Sequence, residues 1–142
     1  MYPQSAKAPG CLEFMNRNRA LLTLILVYGA ASLIHFTHNA LYLALYPNMP
    51  PWLTPFGVLA SWLVIAGLGA VGYWLFRRGL TLTGLVVIAV YAALGFGGLD
   101  HYAIAPVSAH STAMNATIVG EVIAASGLLV VTTWTAIQAR RE

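Results

Sequence analysis

The sequence predicts an all-α integral membrane protein built as a four-helix bundle. Of its 142 residues, 59% are hydrophobic and only 8% are charged, a composition suited to lipid rather than water. Its seven Lys and Arg residues fall in three short clusters, with long and nearly uncharged segments between them. The clusters are Lys7, Arg17 and Arg19, then Arg77 and Arg78, then Arg140 and Arg141. We therefore expect one polytopic membrane domain over residues 1–142.

Four apolar stretches are long enough to serve as the transmembrane helices. About 20 apolar residues are needed to cross a ~30 Å hydrocarbon layer as helix. We predict the helices at about residues 21–45, 55–76, 80–99 and 114–136. Residues 1–15 lack a basic segment followed by an apolar region and a small-residue cleavage site, so we expect no cleaved signal peptide there.

The positions of the basic clusters predict the orientation of the four helices. Lys and Arg near helix ends are retained on the cytoplasmic side, which puts both termini and the Arg77–Arg78 turn inside. The two remaining loops carry no Lys or Arg and are expected outside. The chain is thus predicted to be a multi-pass protein, in keeping with a bacterial inner membrane, with these two loops on the periplasmic or outer side.

Comparison of the chain with itself indicates a tandem duplication of a two-helix hairpin. At an offset of 63 residues, Tyr28 and His38 coincide with Tyr91 and His101, and the second basic cluster coincides with the third. Such repeats would be related by an axis along the membrane normal, with His38 and His101 facing each other. Coincidence in an apolar sequence of low complexity is an equal alternative.

Histidines and carboxylates are gathered at one predicted depth. At ~1.5 Å per helical residue, His35 and His38 lie roughly 24 and 28 Å beyond Arg19. By the same count, Asp100 lies roughly 33 Å beyond Arg78, and Glu121 roughly 28 Å from Arg140. Polar groups on three different helices are therefore expected to meet in the outer leaflet.

This shared depth predicts a transition-metal site. His35, His38 and Asn39 share one helix face by their spacing, and unpaired polar groups are costly in hydrocarbon, so that face should point into the bundle. Neutral imidazole together with carboxylate suits zinc, copper or iron. We predict His35, His38, His101 and Glu121 as metal ligands, with Asn39 and Asp100 supporting them from a second layer.

His110 has two alternative roles, which depend on where the last helix begins. If the helix starts before it, His110 lies about 16 Å above Glu121, and one ion cannot bind both. If residues 105–112 form a loop, His110 can fold back over the site as a further ligand.

Two other functions compete with the metal site. His38 and His101 could be the axial ligands of haem b in an electron carrier. Alternatively, the chain is a structural or assembly subunit of a membrane complex, with its histidines merely hydrogen-bonded inside the bundle. Ionisable residues within membrane segments usually mark ligand or proton pathways, which favours a functional site.

The metal hypothesis leaves the chemistry open between a redox enzyme, a metal-handling protein and a transporter. A lipid-soluble substrate or quinone is a candidate partner, besides the lipid bilayer itself and a homo-oligomer or larger membrane complex. Cys11 is the only cysteine, which excludes an intramolecular disulfide and a multi-cysteine cluster. The sequence has no Gly-rich phosphate loop or protease motif, and its basic residues belong to membrane flanks, so we expect no nucleic-acid binding.

Overall fold

A computed structural model describes the backbone of residues 9–141 and the side chains of residues 16–141. Five α-helices and three short 3-10 segments make up this part of the chain. The helices are α1 (Pro9–Leu41), α2 (Pro55–Arg77), α3 (Thr81–Leu94), α4 (Asp100–Ile104) and α5 (Thr112–Ala139). The 3-10 segments are Leu43–Leu45, Gly95–Leu99 and Val107–Ala109. The described part of the chain does not include Lys7 or the Cys11 side chain. It also leaves out most of residues 1–15, where we expect no cleaved signal peptide.

Four segments are long and apolar enough to cross a membrane. They are Asn16–Leu41, Pro55–Arg77, Thr81–Ile104 and Thr112–Ala139. Large apolar side chains such as Leu26, Val64, Val86 and Ile123 project from their outer surfaces, as expected where the solvent is lipid. The described part of the chain is all-helical, so the prediction of an all-α four-helix membrane bundle is confirmed.

The observed helices begin and end at somewhat different residues from those predicted. The first begins earlier, at Pro9, and ends at Leu41, while the last extends over Thr112–Ala139. The third span changes to a 3-10 helix at Gly95–Leu99 and returns to α-helix only at Asp100. Glycine is a poor helix former, and three of these five residues are glycines, which explains the tightened segment.

The four spans pack in the cyclic order α1, α2, α3 and α5. Close contact between α2 and α3 depends on small residues, because a Cβ atom at Gly84 would collide with the backbone of Phe76. The core between the helices is mainly apolar near the Arg77–Arg78 end, where Leu21, Ile88 and Leu128 are completely buried. In lipid, apolar helix surfaces gain little from burial, so close packing of this kind holds the helices together.

The predicted repeat has a partial counterpart in the bundle. Tyr28 and Tyr91, which occupy equivalent positions, stack with their ring centres 4.5 Å apart between α1 and α3. His101, however, lies against His35, with ring centres 5.5 Å apart. The direct pairing of His38 with His101 is therefore absent from this arrangement, and duplication stays a prediction.

Two loops cover the end of the bundle opposite the Arg77–Arg78 turn. In the first, Asn48 adopts a left-handed conformation with φ of 57° and donates from its side-chain amide to the Ile104 carbonyl, at 2.9 Å. In the second, the Ser111 hydroxyl accepts from the Met114 backbone N–H and caps α5. The first loop is thus tied to the end of α4, directly above the polar residues.

Candidate functional site

Three helices bring buried polar side chains together at this loop-covered end. His35 and Asn39 come from α1, His101 from the short α4, and Glu121 from α5. All four are at least 93% buried. The structure therefore brings together three of the predicted ligands and one predicted supporting residue.

A hydrogen-bond chain through Thr117 assigns the proton of His35. The Thr117 hydroxyl lies 3.0 Å from the Met114 carbonyl oxygen, and when it donates there its oxygen accepts from Nδ1 of His35, 3.3 Å away. Nδ1 then carries the hydrogen, and Nε2 keeps a free lone pair. Metal-binding histidines are commonly oriented in this way by a partner on the other ring nitrogen.

Glu121 faces that lone pair from α5. Its Oε2 atom lies 3.7 Å from Nε2 of His35, too far for a hydrogen bond, and no donor lies within hydrogen-bond distance of it in the described structure. The Ser32 hydroxyl group is the polar side chain of α1 that interacts with this carboxyl group at longer range. Only 2% of the residue is exposed. An unpaired carboxylate oxygen at such a position costs free energy, so this geometry favours a bound cation or donor between the two atoms.

Asn39 links the second histidine to α1. Its side-chain nitrogen lies 3.3 Å from Nε2 of His101, while its Oδ1 atom is buried without a partner. If the amide oxygen and nitrogen of Asn39 are exchanged, Oδ1 accepts from an N–H at Nε2 of His101. The lone pair of His101 is then on its Nδ1 atom. In that arrangement Asn39 orients the His101 imidazole, and its role as support for a metal ligand stays a prediction.

A cavity of about 290 Å³ lies beside these groups. Polar groups of His35, Asn39 and Glu121 line it together with apolar side chains, including Phe36 and Leu53. Asp100 lies in the same lining but is an exposed residue at the first position of α4. Its predicted role in supporting His101 stays a prediction.

His38 is separated from this group. Its Nδ1 atom lies 2.9 Å from the Tyr46 hydroxyl, and its side chain lines a different pocket, together with Tyr42 and Met114. The Tyr46 ring contacts both the His38 and the His101 rings, with centres 5.9 and 5.0 Å away. Haem between these two histidines would require Tyr46 to leave.

Tyr46 itself is a site residue that the sequence analysis missed. It is 96% buried, and this burial raises the pKa of its hydroxyl group. The neutral phenol can therefore donate to His38. No motif identifies it, because the position of its ring depends on the path of the first loop. Thr117 was missed in the same way, although its spacing of four residues before Glu121 places both on one face of α5.

His110 lies in the loop before α5 and not on the helix. It is buried, its Nδ1 atom lies 3.1 Å from the Pro106 carbonyl oxygen, and its ring centre lies 6.0 Å from that of His101. Its Nε2 atom has no hydrogen-bond partner. Of the two alternatives, the loop that folds back is the one observed, and a role as ligand stays a prediction.

Within residues 16–141, no three His, Cys, Asp or Glu side chains are already arranged around a common point at metal-binding distances. Metal binding at this site thus requires side-chain adjustment around the His35–Glu121 pair. Comparison with known proteins finds no matching family model, curated protein or solved structure. Any functional conclusion therefore depends on the site geometry alone.

Proposed function

We propose that this membrane protein binds a divalent transition-metal ion between His35 and Glu121, with His101 as third ligand. One observation supports this more than any other: the free lone pair of His35 faces an unpartnered carboxylate oxygen at 3.7 Å in a buried position. His38, one of the ligands predicted from sequence, is left out of this proposal because it bonds to Tyr46 in a separate pocket.

The spacing of the two atoms is close to what a metal requires. With zinc bonds of 2.0–2.1 Å at a tetrahedral angle, neighbouring ligand atoms lie about 3.4 Å apart. The His35 and Glu121 atoms would need to approach by only a few tenths of an ångström. A proton shared directly between them would demand a much larger movement, to the ~2.7–2.9 Å of a charge-assisted hydrogen bond.

His101 would complete the site by a change of side-chain orientation. Its ring centre already lies 5.5 Å from that of His35. Two imidazoles bound to one tetrahedral ion have ring centres separated by a similar ~5 Å. Asn39 would hold the other nitrogen of His101, and Thr117 already holds the other nitrogen of His35.

The ligand set indicates the class of chemistry. Two imidazoles and one carboxylate suit zinc, copper or iron, and three protein ligands beside a cavity are typical of sites that keep a position for water or substrate. We propose a metal-handling protein or a metal-dependent redox enzyme. From the basic clusters, we propose that the site faces the outer side of a bacterial inner membrane.

The test is metal analysis with a visible absorption spectrum, on protein purified in mild detergent without chelators or a histidine tag. Wild-type protein should bind close to one zinc, copper or non-haem iron per chain. His35→Ala and Glu121→Gln should lose the ion. His38→Ala is the matched control and should keep it, because His38 lies outside the proposed ligand set.

Other results would select a different function. A haem absorption band lost in both His38→Ala and His101→Ala would support the b-type electron carrier. A folded, colourless protein that takes up none of these metals would contradict the proposal and support the structural or assembly subunit.

A further inference from the structure

The cavity beside His35 and Glu121 is polar at its base and apolar at its side. At the base, His35, Asn39 and Glu121 offer nitrogen and oxygen atoms. At the side, Leu94 and Ile104 line the cavity while each remains 43% exposed on the outer surface of the bundle. A ligand in this cavity would therefore contact polar groups at one end and lipid-facing side chains at the other.

The position of the cavity corresponds to the boundary between lipid and water. The first loop contributes Met49, Pro50 and Leu53 to its lining. In the same loop, Trp52 is 74% exposed, and tryptophan prefers the membrane interface. The exposed carboxylate of Asp100 adjoins the apolar side of the cavity, which also indicates interfacial depth.

We infer that this cavity binds the head of a lipid-soluble molecule bearing a hydroxyl group, which enters from the bilayer beside Leu94 and Ile104. The inference deepens the proposed function by naming the substrate class of the same site, and it rests on that function for the role of the ion. The oxygen atom of this hydroxyl group could bind the ion or accept a hydrogen bond from the Asn39 amide. The hydroxyl hydrogen could be donated to a carboxylate. The apolar tail would stay in the lipid.

The cavity has the right size for one such head. Its volume of about 290 Å³ lies at the small end of the range of ligand pockets, enough for a single aromatic ring with a hydroxyl group. Gly97 forms part of its wall, and a Cβ atom there would meet nothing within 4 Å. We expect a leucine side chain at Gly97 to narrow the cavity, since its Cβ atom would collide with nothing there.

The experiment measures binding of para-octylphenol and para-octylanisole to the full chain in phosphatidylcholine nanodiscs, by quenching of tryptophan fluorescence. The two probes differ only in methylation of the hydroxyl group. We expect para-octylphenol to bind at least about tenfold more tightly, because the ether cannot donate a hydrogen bond. Gly97→Leu should abolish this binding. Gly67→Leu is the matched control, since Gly67 also has open space around it but lies on α2 away from the cavity.

Metal content is measured on the same samples, so that the two proposals fail separately. Metal retained by Gly97→Leu together with loss of phenol binding supports both. Equal binding of the two probes, or phenol binding unchanged in Gly97→Leu, overturns the inference. A third outcome is a wild-type protein that takes up no metal but binds the phenol, with this binding lost in Gly97→Leu. That result overturns the metal proposal and leaves the cavity as a site for hydroxyl-bearing lipids.

Discussion

The two ends of the bundle are built from the same helices but differ in what fills them. Toward the Arg77–Arg78 turn, the core is mainly apolar, with Leu21, Ile88 and Leu128 completely buried, although Asn18 and Thr132 are buried there as well. Toward the covering loops, α1 and α5 instead bury His35 and Glu121. Within one helix, packing gives way to polar contacts over a few turns.

This difference predicts that the Arg77–Arg78 end stabilises the fold and that the loop-covered end binds ligands. Lipid satisfies apolar surfaces as well as a core does, so cohesion at the Arg77–Arg78 end comes from close contact. At the other end, the buried Oε2 atom of Glu121 adds cost because it has no hydrogen-bond partner. Substitutions at the Arg77–Arg78 end should therefore lower stability, and substitutions at the loop-covered end should weaken ligand binding.

The largest effect is expected at the α2–α3 contact. Gly84→Ala would push a Cβ atom into the backbone of Phe76 and to 2.8 Å from the Gly72 carbonyl oxygen. We expect a loss of about 3 kcal/mol in the free energy of unfolding, because backbone atoms on both sides cannot yield without separating the helices. Unfolding by steric trapping in bicelles measures it. Gly67→Ala, with no atom within 4 Å of the added Cβ, should cause almost none of this loss.

A smaller loss of stability is expected when the core at this end is truncated. Ile88 is completely buried, and Ile88→Ala would leave a cavity between α3 and its neighbours, costing about 2 kcal/mol. Val86→Ala is the control, since Val86 is 59% exposed on the same helix. Metal affinity of the folded protein should be equal in both variants. Weakened binding in Ile88→Ala alone would show that the two ends are coupled.

At the opposite end, Asn39→Ala should weaken metal binding by about tenfold while leaving the free energy of unfolding nearly unchanged. One atom of the amide contacts Nε2 of His101 and the other has no hydrogen-bond partner, so removal of the amide takes away support for a ligand and one unsatisfied group together. Competition with a chelating dye measures the affinity. Asn39→Asp keeps an acceptor for His101 and should retain the affinity; equal weakening in both variants would contradict this role.

The smallest effect concerns the contact between the first loop and α1. Tyr46→Phe removes the hydroxyl that lies 2.9 Å from Nδ1 of His38 but keeps the ring against His101. We expect a loss of about 1 kcal/mol in stability, typical of one hydrogen bond, with metal content unchanged. Loss of the ion from Tyr46→Phe would instead show that His38 and Tyr46 belong to the binding site.

The fold was more predictable than the arrangement of the site. Hydrophobic segment length and basic clusters are properties of each helix alone, so four spans could be predicted from composition. Equal depth predicted that polar groups of different helices would meet, and His35, His101 and Glu121 line one cavity. The rotation of each helix is set by packing against its neighbours, which sequence spacing does not define. His38, one turn from His35, consequently faces another pocket.

The loops were the least predictable part of the site. Tyr46 and His110 reach His101 only because a left-handed Asn48 ties the first loop to Ile104 and because α5 begins after His110. Apolar periodicity contains no information about either feature. The sequence analysis therefore missed Tyr46, which the structure buries beside His101.

The most direct test of the account is the effect of added zinc on the free energy of unfolding, in wild-type protein and in Glu121→Gln. A ligand that binds only the folded state stabilises it by about 2.7 kcal/mol at a hundredfold excess over Kd. We predict a rise of this order for the wild type and none for the variant, because the pair formed by His35 and Glu121 would be lost. An equal rise in both proteins, or none in the wild type at any concentration of zinc, copper or iron, would contradict the proposed site.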